Sequence, residues 1–432
     1  MYAVASEPAP DGMDDAPRMM AQEERMKQRV AVAVLAGASF ALGAVAQRAY
    51  DVWRAGPSQL GQEAPAAVKP VWTPLQVDRS RIDFSKQPLW AWGVAEPPKA
   101  DEKQAVQFAP GPAPAPAAPA SEELTRKRRV PGSQIEFSIA EVRASVSRGG
   151  IVDWFPEDHA TPIPDIISRG PAALGKDAKA CGLCHLSDGS GRPENASPAG
   201  LPAAYILRQL NDFKNDLRHS ADPRKGNSNT MVMLAKAMTD AEMREAAEYF
   251  AAVKWRPYVE VIETDLVPKT RIQGELFIPQ AKELTEPIGN RIIEVPADIE
   301  GNQTLRNSRG TWIAYVPKGA VQKGKDLVTL GGMTVVNDQI VQGKTTACGT
   351  CHGIDLNGVP PDVPPLVGRS PSYMAREIFD IQQGARNGSN SNVQLMRMVV
   401  EKLEPEDIIN ITAYLASLPV SRRNDQLVVR RK

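Results

Sequence analysis

The sequence predicts a mainly α-helical protein with two helical domains in tandem, and three observations predict it. All four cysteines of the 432-residue chain fall into two copies of one five-residue word, Cys181-Gly-Leu-Cys184-His185 and Cys348-Gly-Thr-Cys351-His352. The roughly 70 residues after each copy repeat one another in register. The chain between and before the copies differs in pattern, with Val/Ile alternation after Arg256 and a Pro/Ala tract at Pro110–Ala120. At roughly 100–200 residues per domain, this length accommodates two to three domains with real cores. The 51 basic residues balance 51 acidic ones. No sequence-wide basic field exists, so nucleic acid is not an expected partner. A fibrous or solenoid reading fails as well, and four cysteines are too sparse for a disulfide scaffold.

The CxxCH word is the attachment signature of a c-type haem. Two thiols three residues apart share one helical turn, so each can add to a porphyrin vinyl group. The next imidazole then lies over the iron as its proximal ligand. The expected cofactors are two covalently bound haem c groups, held by Cys181, Cys184 and His185 and by Cys348, Cys351 and His352. A redox dithiol would explain CxxC but not the following histidine. A tetrahedral zinc site would have to close both halves across the long stretch between them. Covalent haem attachment also places the domains outside the bacterial cytoplasm.

The internal repeat locates a second ligand. Tyr205, Arg208, Asp212 and Arg218 fall on Tyr373, Arg376, Asp380 and Arg386, and Ala203–Asn215 and Ser372–Gln383 carry apolar residues at helical spacing. Met231 corresponds to Met396, Glu242 to Asp407 and Tyr249 to Tyr414. Thr239 and Glu404 begin a terminal amphipathic helix that runs to about Val253 or Leu418. A methionine in a loop 46 or 44 residues after the histidine can offer its thioether to the open iron face, so Met231 and Met396 are the expected axial partners of His185 and His352. Met233 and Met398 also correspond to each other and remain competitors. Met238 aligns with Leu403 and reads as core.

On these motifs the chain resembles the two-haem class I cytochromes c of the bacterial periplasm, which serve as electron carriers or as cytochrome subunits of dehydrogenases. The resemblance covers Asp165–Val253 and Gly319–Leu418 and rests on both CxxCH words, the Pro364-Pro365-Leu366-Val367-Gly368 turn and the two Met segments. It implies that the Pro364 carbonyl orients His352. The first copy reads Ala196-Ser197-Pro198-Ala199-Gly200 instead, which leaves the acceptor for His185 open and predicts unequal haem potentials. The resemblance further implies close packing of Gly324 against the terminal helix bearing Tyr414.

In chain order, residues 1–29 read as a cytoplasmic leader. Residues 30–46 are an uncharged apolar run preceded by Arg25, Lys27 and Arg29, which predicts a membrane anchor with its N-terminus inside; a signal cleaved after Ala46 is the alternative. Residues 47–130 read as a disordered Pro/Ala-rich linker, with Trp72, Trp90 and Trp92 either docking to partners or packing back on the chain. The first domain spans 131–255. A β-rich insertion spans 256–317, with strands at Tyr258–Glu263, Arg271–Ile278, Arg291–Val295 and Thr311–Val316, as a clamp between the domains, a partner surface or a connector. The second domain spans 318–420, and 421–432 is a basic tail.

The expected function is single-electron transfer on the periplasmic side of the inner membrane, within a respiratory chain, as a carrier or as the cytochrome subunit of a redox complex. Expected partners are a dehydrogenase, a quinol-cytochrome c reductase, an oxidase or another cytochrome. With both axial positions filled, no reactant reaches the iron, so no catalytic residue is expected. The alternative is a dihaem cytochrome c peroxidase, for which His159 and His219 would be the spare ligands; both read as solvent-exposed instead.

Overall fold

The two terminal helices start as their capping residues dictate. Thr239 Oγ1 accepts from the Glu242 amide (3.2 Å) while Glu242 accepts from the Thr239 amide (2.7 Å), opening the helix Asp240–Ala252. Asp407 accepts from the Glu404 amide (2.9 Å) at the start of Pro405–Ser417. Such boxes satisfy orphan donors of the first turn and are worth about 1 kcal/mol each. The repeated middle helices are Ala203–Lys214, which buries Ile206, Leu210 and Phe213, and Pro371–Gln382, which buries Met374, Ile378 and Phe379. The structure, a computed structural model, describes residues 77–99, 122–280 and 284–419. All of these lie in one compact unit, Trp72–Lys432.

Each CxxCH word forms its own short helix, Cys181–His185 and Gly349–His352. Beyond that the halves differ. In the second, the helix Ala320–Leu330 crosses the terminal helix at Gly324, where a Cβ would lie 2.8 Å from Tyr414 Cβ and closer still to the Asn410 carbonyl. The close approach inferred from the family resemblance is present. In the first, the corresponding place holds only the four-residue helix Asp165–Ser168, whose Ile166 and Ile167 plug the core.

The insertion forms a three-stranded sheet, with Trp312–Val316 between the parallel Val259–Glu263 and the antiparallel Ile293–Pro296. The expected single strand Arg271–Ile278 is instead a hairpin, Thr270–Gln273 with Leu276–Pro279, because Gly274 and Glu275 both adopt positive φ and make the two-residue turn. This insertion enters both cores. Leu276, Ile278 and Trp312 pack with the first half, and Ile292, Ala314 and Val316 with the second. Buried Glu294 accepts from Ser370 Oγ (2.8 Å) at the start of Pro371–Gln382.

Two expectations are corrected. Residues 77–99 are not disordered linker: Ile82, Phe84, Trp90 and Trp92 are buried in the second core, and Trp92 donates to Ser220 (3.0 Å) and meets the Phe379 ring edge-on. Two aromatic rings in one short helix, Leu89–Trp92, bury enough apolar surface to hold the segment down. Residues 122–130 are likewise structured, with the helix Glu122–Thr125 and the strand Lys127–Arg128. The membrane-anchored placement is also withdrawn. Among the described residues no helix is long and apolar enough to cross a membrane; the terminal helices, at 13 residues, reach only about 20 Å against a hydrocarbon core of about 30 Å. The run at 30–46, Trp72, Pro110–Ala120 and the basic tail from 421 lie outside the described residues.

Candidate functional site

Both motif histidines are oriented in one way. His185 Nδ1 lies 2.8 Å from the Ala196 carbonyl, and His352 Nδ1 lies 2.8 Å from the Pro364 carbonyl. A carbonyl only accepts, so Nδ1 carries the proton and Nε2 keeps a free lone pair, the tautomer that a metal-ligating imidazole needs. Burial pushes both histidines below their usual value, which keeps them neutral. The doubt over His185 is removed. The acceptor is a backbone carbonyl that any residue supplies, and Ala196 stands where Pro364 stands, so the missing proline gives no ground for unequal potentials.

Burial holds the Cys181, Cys184 and Cys348 thiols protonated. Burial pushes Cys181 up to about 12 and Cys348 to about 11. A reactive redox dithiol has the opposite shift. Asn195 donates to the Cys184 carbonyl (3.2 Å) and Arg306 of the insertion to that of Leu183, fixing the first motif helix from outside.

A cavity enclosing about 1360 Å3 of unfilled space, part of it open to solvent, lies over the first motif. Cys181, Cys184 and His185 line it, Ile206, Leu210 and Phe250 form apolar wall, and Met231 borders it as well. Met231 is not in a loop as expected but on the helix Gly226–Ala237; Met396 sits on its counterpart, Asn392–Val400. The polar Asn/Ser segments before these methionines hid the helices, which tertiary packing stabilises. Met231 and Cys181 pack on one core cluster, and Met396 and Cys348 on the other. Of the competitors, Met233 is not among the cavity's lining residues and Met398 is 69% exposed. Met238 is core, at a helix end.

Sequence reasoning missed the polar end of the cavity. Buried Arg218, Lys225 and Arg376 line it, the last from the second half. Burial, then the Arg376 charge, pushes Lys225 down to about 8. Arg376 also donates to the Pro193 carbonyl (2.7 Å), while its repeat partner Arg208 reaches across to Pro361 (3.5 Å). The halves thus exchange arginines about an approximate two-fold, whose centre is the antiparallel bridge Arg218–Arg386. The repeat register carried this signal, since all four arginines align. The expectation that both spare histidines are solvent-exposed is corrected: neither is. The His159 side chain is 0% exposed and bonds Asp153 (3.1 Å); His219 borders the cavity, 3.3 Å from Asp216.

Residues 340–419 match the cytochrome c family. Cytochrome c-554(548) of Halomonas halodenitrificans is 38% identical over 74 residues, which are 17% of this chain and 87% of that protein. The chain belongs to the cytochrome c family. This cytochrome is also similar to the thiosulfate dehydrogenase electron acceptor of Thiomonas intermedia, 25% identical over 252 residues that make up 58% of this chain and 83% of that protein. It is 34% identical to cytochrome c4 of Stutzerimonas stutzeri over 80 residues, 18% of this chain and 38% of that protein. Its function is electron transfer, and its family implies covalent haem c. The residues present fit that group: a thiol pair and a neutral imidazole, apolar side chains for the macrocycle, and a polar lining in which buried Arg218, Lys225 and Arg376 stand beside Glu194, Glu377 and Asp380.

Proposed function

We propose that this cytochrome carries two haem c groups, one in each of two tandem class I domains, and passes single electrons between redox proteins outside the cytoplasm. The observation that carries the reading is the duplicated setting of the histidines: each imidazole spends Nδ1 on a loop carbonyl and keeps Nε2 for a metal. Cys181 and Cys184, and Cys348 and Cys351, would hold the groups covalently; His185 with Met231 and His352 with Met396 would be the axial pairs. Bound there, haem c supplies one-electron exchange between ferric and ferrous iron. The protein orients each imidazole and keeps it neutral. The likeness to an electron acceptor of thiosulfate dehydrogenase favours the role of cytochrome subunit, taking electrons from a dehydrogenase, over that of a free carrier.

Met231→Ala and Met396→Ala test the ligation. Each is expected to remove about half of the weak long-wavelength ferric absorption of the thioether–iron bond and to lower one of two potentials in a redox titration, since Met ligation raises the potential. If both variants keep spectrum and potentials unchanged, the assigned ligands are wrong.

A further inference from the structure

We infer that Glu275, at the tip of the insertion's hairpin, is a positioning residue for Met231, acting through the N-terminus of the helix that carries it and through Lys225. The inference rests on the reading of Met231 as the first site's axial ligand.

The helix Gly226–Ala237 begins without a cap of its own, because its N-cap residue is Lys225, whose side chain has no acceptor. Glu275 supplies the missing carboxylate from the insertion. Its Oε1 accepts from the Gly226 amide (3.0 Å), and its Oε2 accepts from Lys225 Nζ and from Asn227 Nδ2 (3.4 Å). A carboxylate at a helix N-terminus satisfies orphan amides and meets the positive end of the helix dipole. Met231 lies within the second turn of the helix so fixed.

The same contact reaches the histidine side. Lys225, 5% exposed, also donates to the Glu194 carbonyl (3.0 Å). Glu194 stands two residues before Ala196, the acceptor of His185. One ion pair therefore ties the His185 loop to the Met231 helix, and both to the insertion. The tip itself is held in place: Glu275 adopts φ +65°, a conformation uncommon for a side-chain-bearing residue, and its carbonyl packs against Gly93 so closely that a Cβ there would come within 2.9 Å.

The second site is differently built. Ser391, the N-cap of Asn392–Val400, makes no side-chain capping bond, and the Asn392 amide finds Asn390 Oδ1 (3.0 Å) within its own loop. No residue of the insertion caps this helix among the described residues, so the second haem serves as an internal control.

The test is an imidazole titration of the full-length ferric holoprotein, followed by the thioether–iron absorption, for the unmutated chain, Glu275→Ala, Glu275→Gln and Met231→Ala. Met231→Ala identifies the first site's share of the absorption. In Glu275→Ala that share is expected to be displaced at roughly tenfold lower imidazole, with the second site's share unmoved; Glu275→Gln, which keeps an acceptor but loses the charge, should fall between. If Glu275→Ala and Glu275→Gln both lose the two shares at the unmutated concentrations, the positioning role is overturned while His/Met ligation stands. If both shares weaken equally, the effect is a general loosening and the inference is also overturned. Should Glu275→Ala fail to accumulate as folded protein, Glu275→Gln alone decides. An unmutated protein without thioether–iron absorption overturns the ligation reading and this inference together.

Discussion

Glu377→Ala is expected to lower the stability of the protein by about 3–5 kcal/mol, the scale for removing one partner from a buried charge cluster. Glu377 binds Arg218 (2.6 Å) and also Arg386, and the two arginines lie side by side across the two-fold, both buried. The repeat position facing them from the first half is Gln209, which accepts from Arg218 (2.7 Å) and Arg386 (3.0 Å) but brings no charge. Glu377 therefore binds both guanidinium groups directly, with Asp212 and Asp380 farther off. Burial alone would raise the Glu377 carboxyl, yet Arg218 and Arg386 outweigh it and hold it below its ordinary value. For an acid with a depressed folded value, the stabilisation is complete above the unfolded value of 4.5 and is lost as pH falls through the lower folded one. Denaturant unfolding should show Glu377→Ala weakened at neutral pH and the unmutated protein losing part of its advantage over the variant below that range. A difference under about 1 kcal/mol at neutral pH would mean that water, not Glu377, compensates the arginines.

Gly324→Ala is expected to cost about 3 kcal/mol, at the upper end for overpacking, because the added methyl meets backbone that cannot rotate away. The two helices touch at Gly324, and a Cβ there collides with the Asn410 carbonyl before it reaches Tyr414. The helices must separate, which loosens the core shared by Leu327, Val328, Ile409 and Ala413. For a domain of this size the melting temperature should fall by on the order of 10 °C, read by circular dichroism. Gly226→Ala, where the nearest atom to an added Cβ is the end of the Glu275 side chain at 3.8 Å, is the matched control and should change far less.

What the sequence showed best was covalent and periodic. The CxxCH words leave the histidine no local use other than haem ligation, since a zinc site would have to join both halves, and the aligned apolar positions of Ala203–Lys214 and Pro371–Gln382 report helices directly. The insertion's strands were legible too, because Val/Ile alternation is a local signal. What failed depended on contacts distant in sequence. The arm carrying Trp90 and Trp92 looked like linker since its order comes from Phe379 and Ser220, far along the chain. The helices under Met231 and Met396 begin in polar residues that read as loops. The hairpin Thr334–Val336 with Gln339–Val341 goes beyond the sequence reading; its signal is Asn337-Asp338 between Val and Ile residues, and both turn residues take positive φ. The orienting partner of His185 has no sequence signature, because a backbone carbonyl, which any residue supplies, does what Pro364 does for His352. Lys225 and Glu275, 50 residues apart, gave no sign of their pairing before the fold brought them together.

The central claim is that each half of this cytochrome holds a covalent haem, and haem stoichiometry tests it most directly. Pyridine haemochrome absorbance against protein concentration, with the intact mass of the purified chain, should give two haems per chain, and one each in Cys184→Ala and Cys351→Ala. A single haem in the unmutated chain would contradict the account.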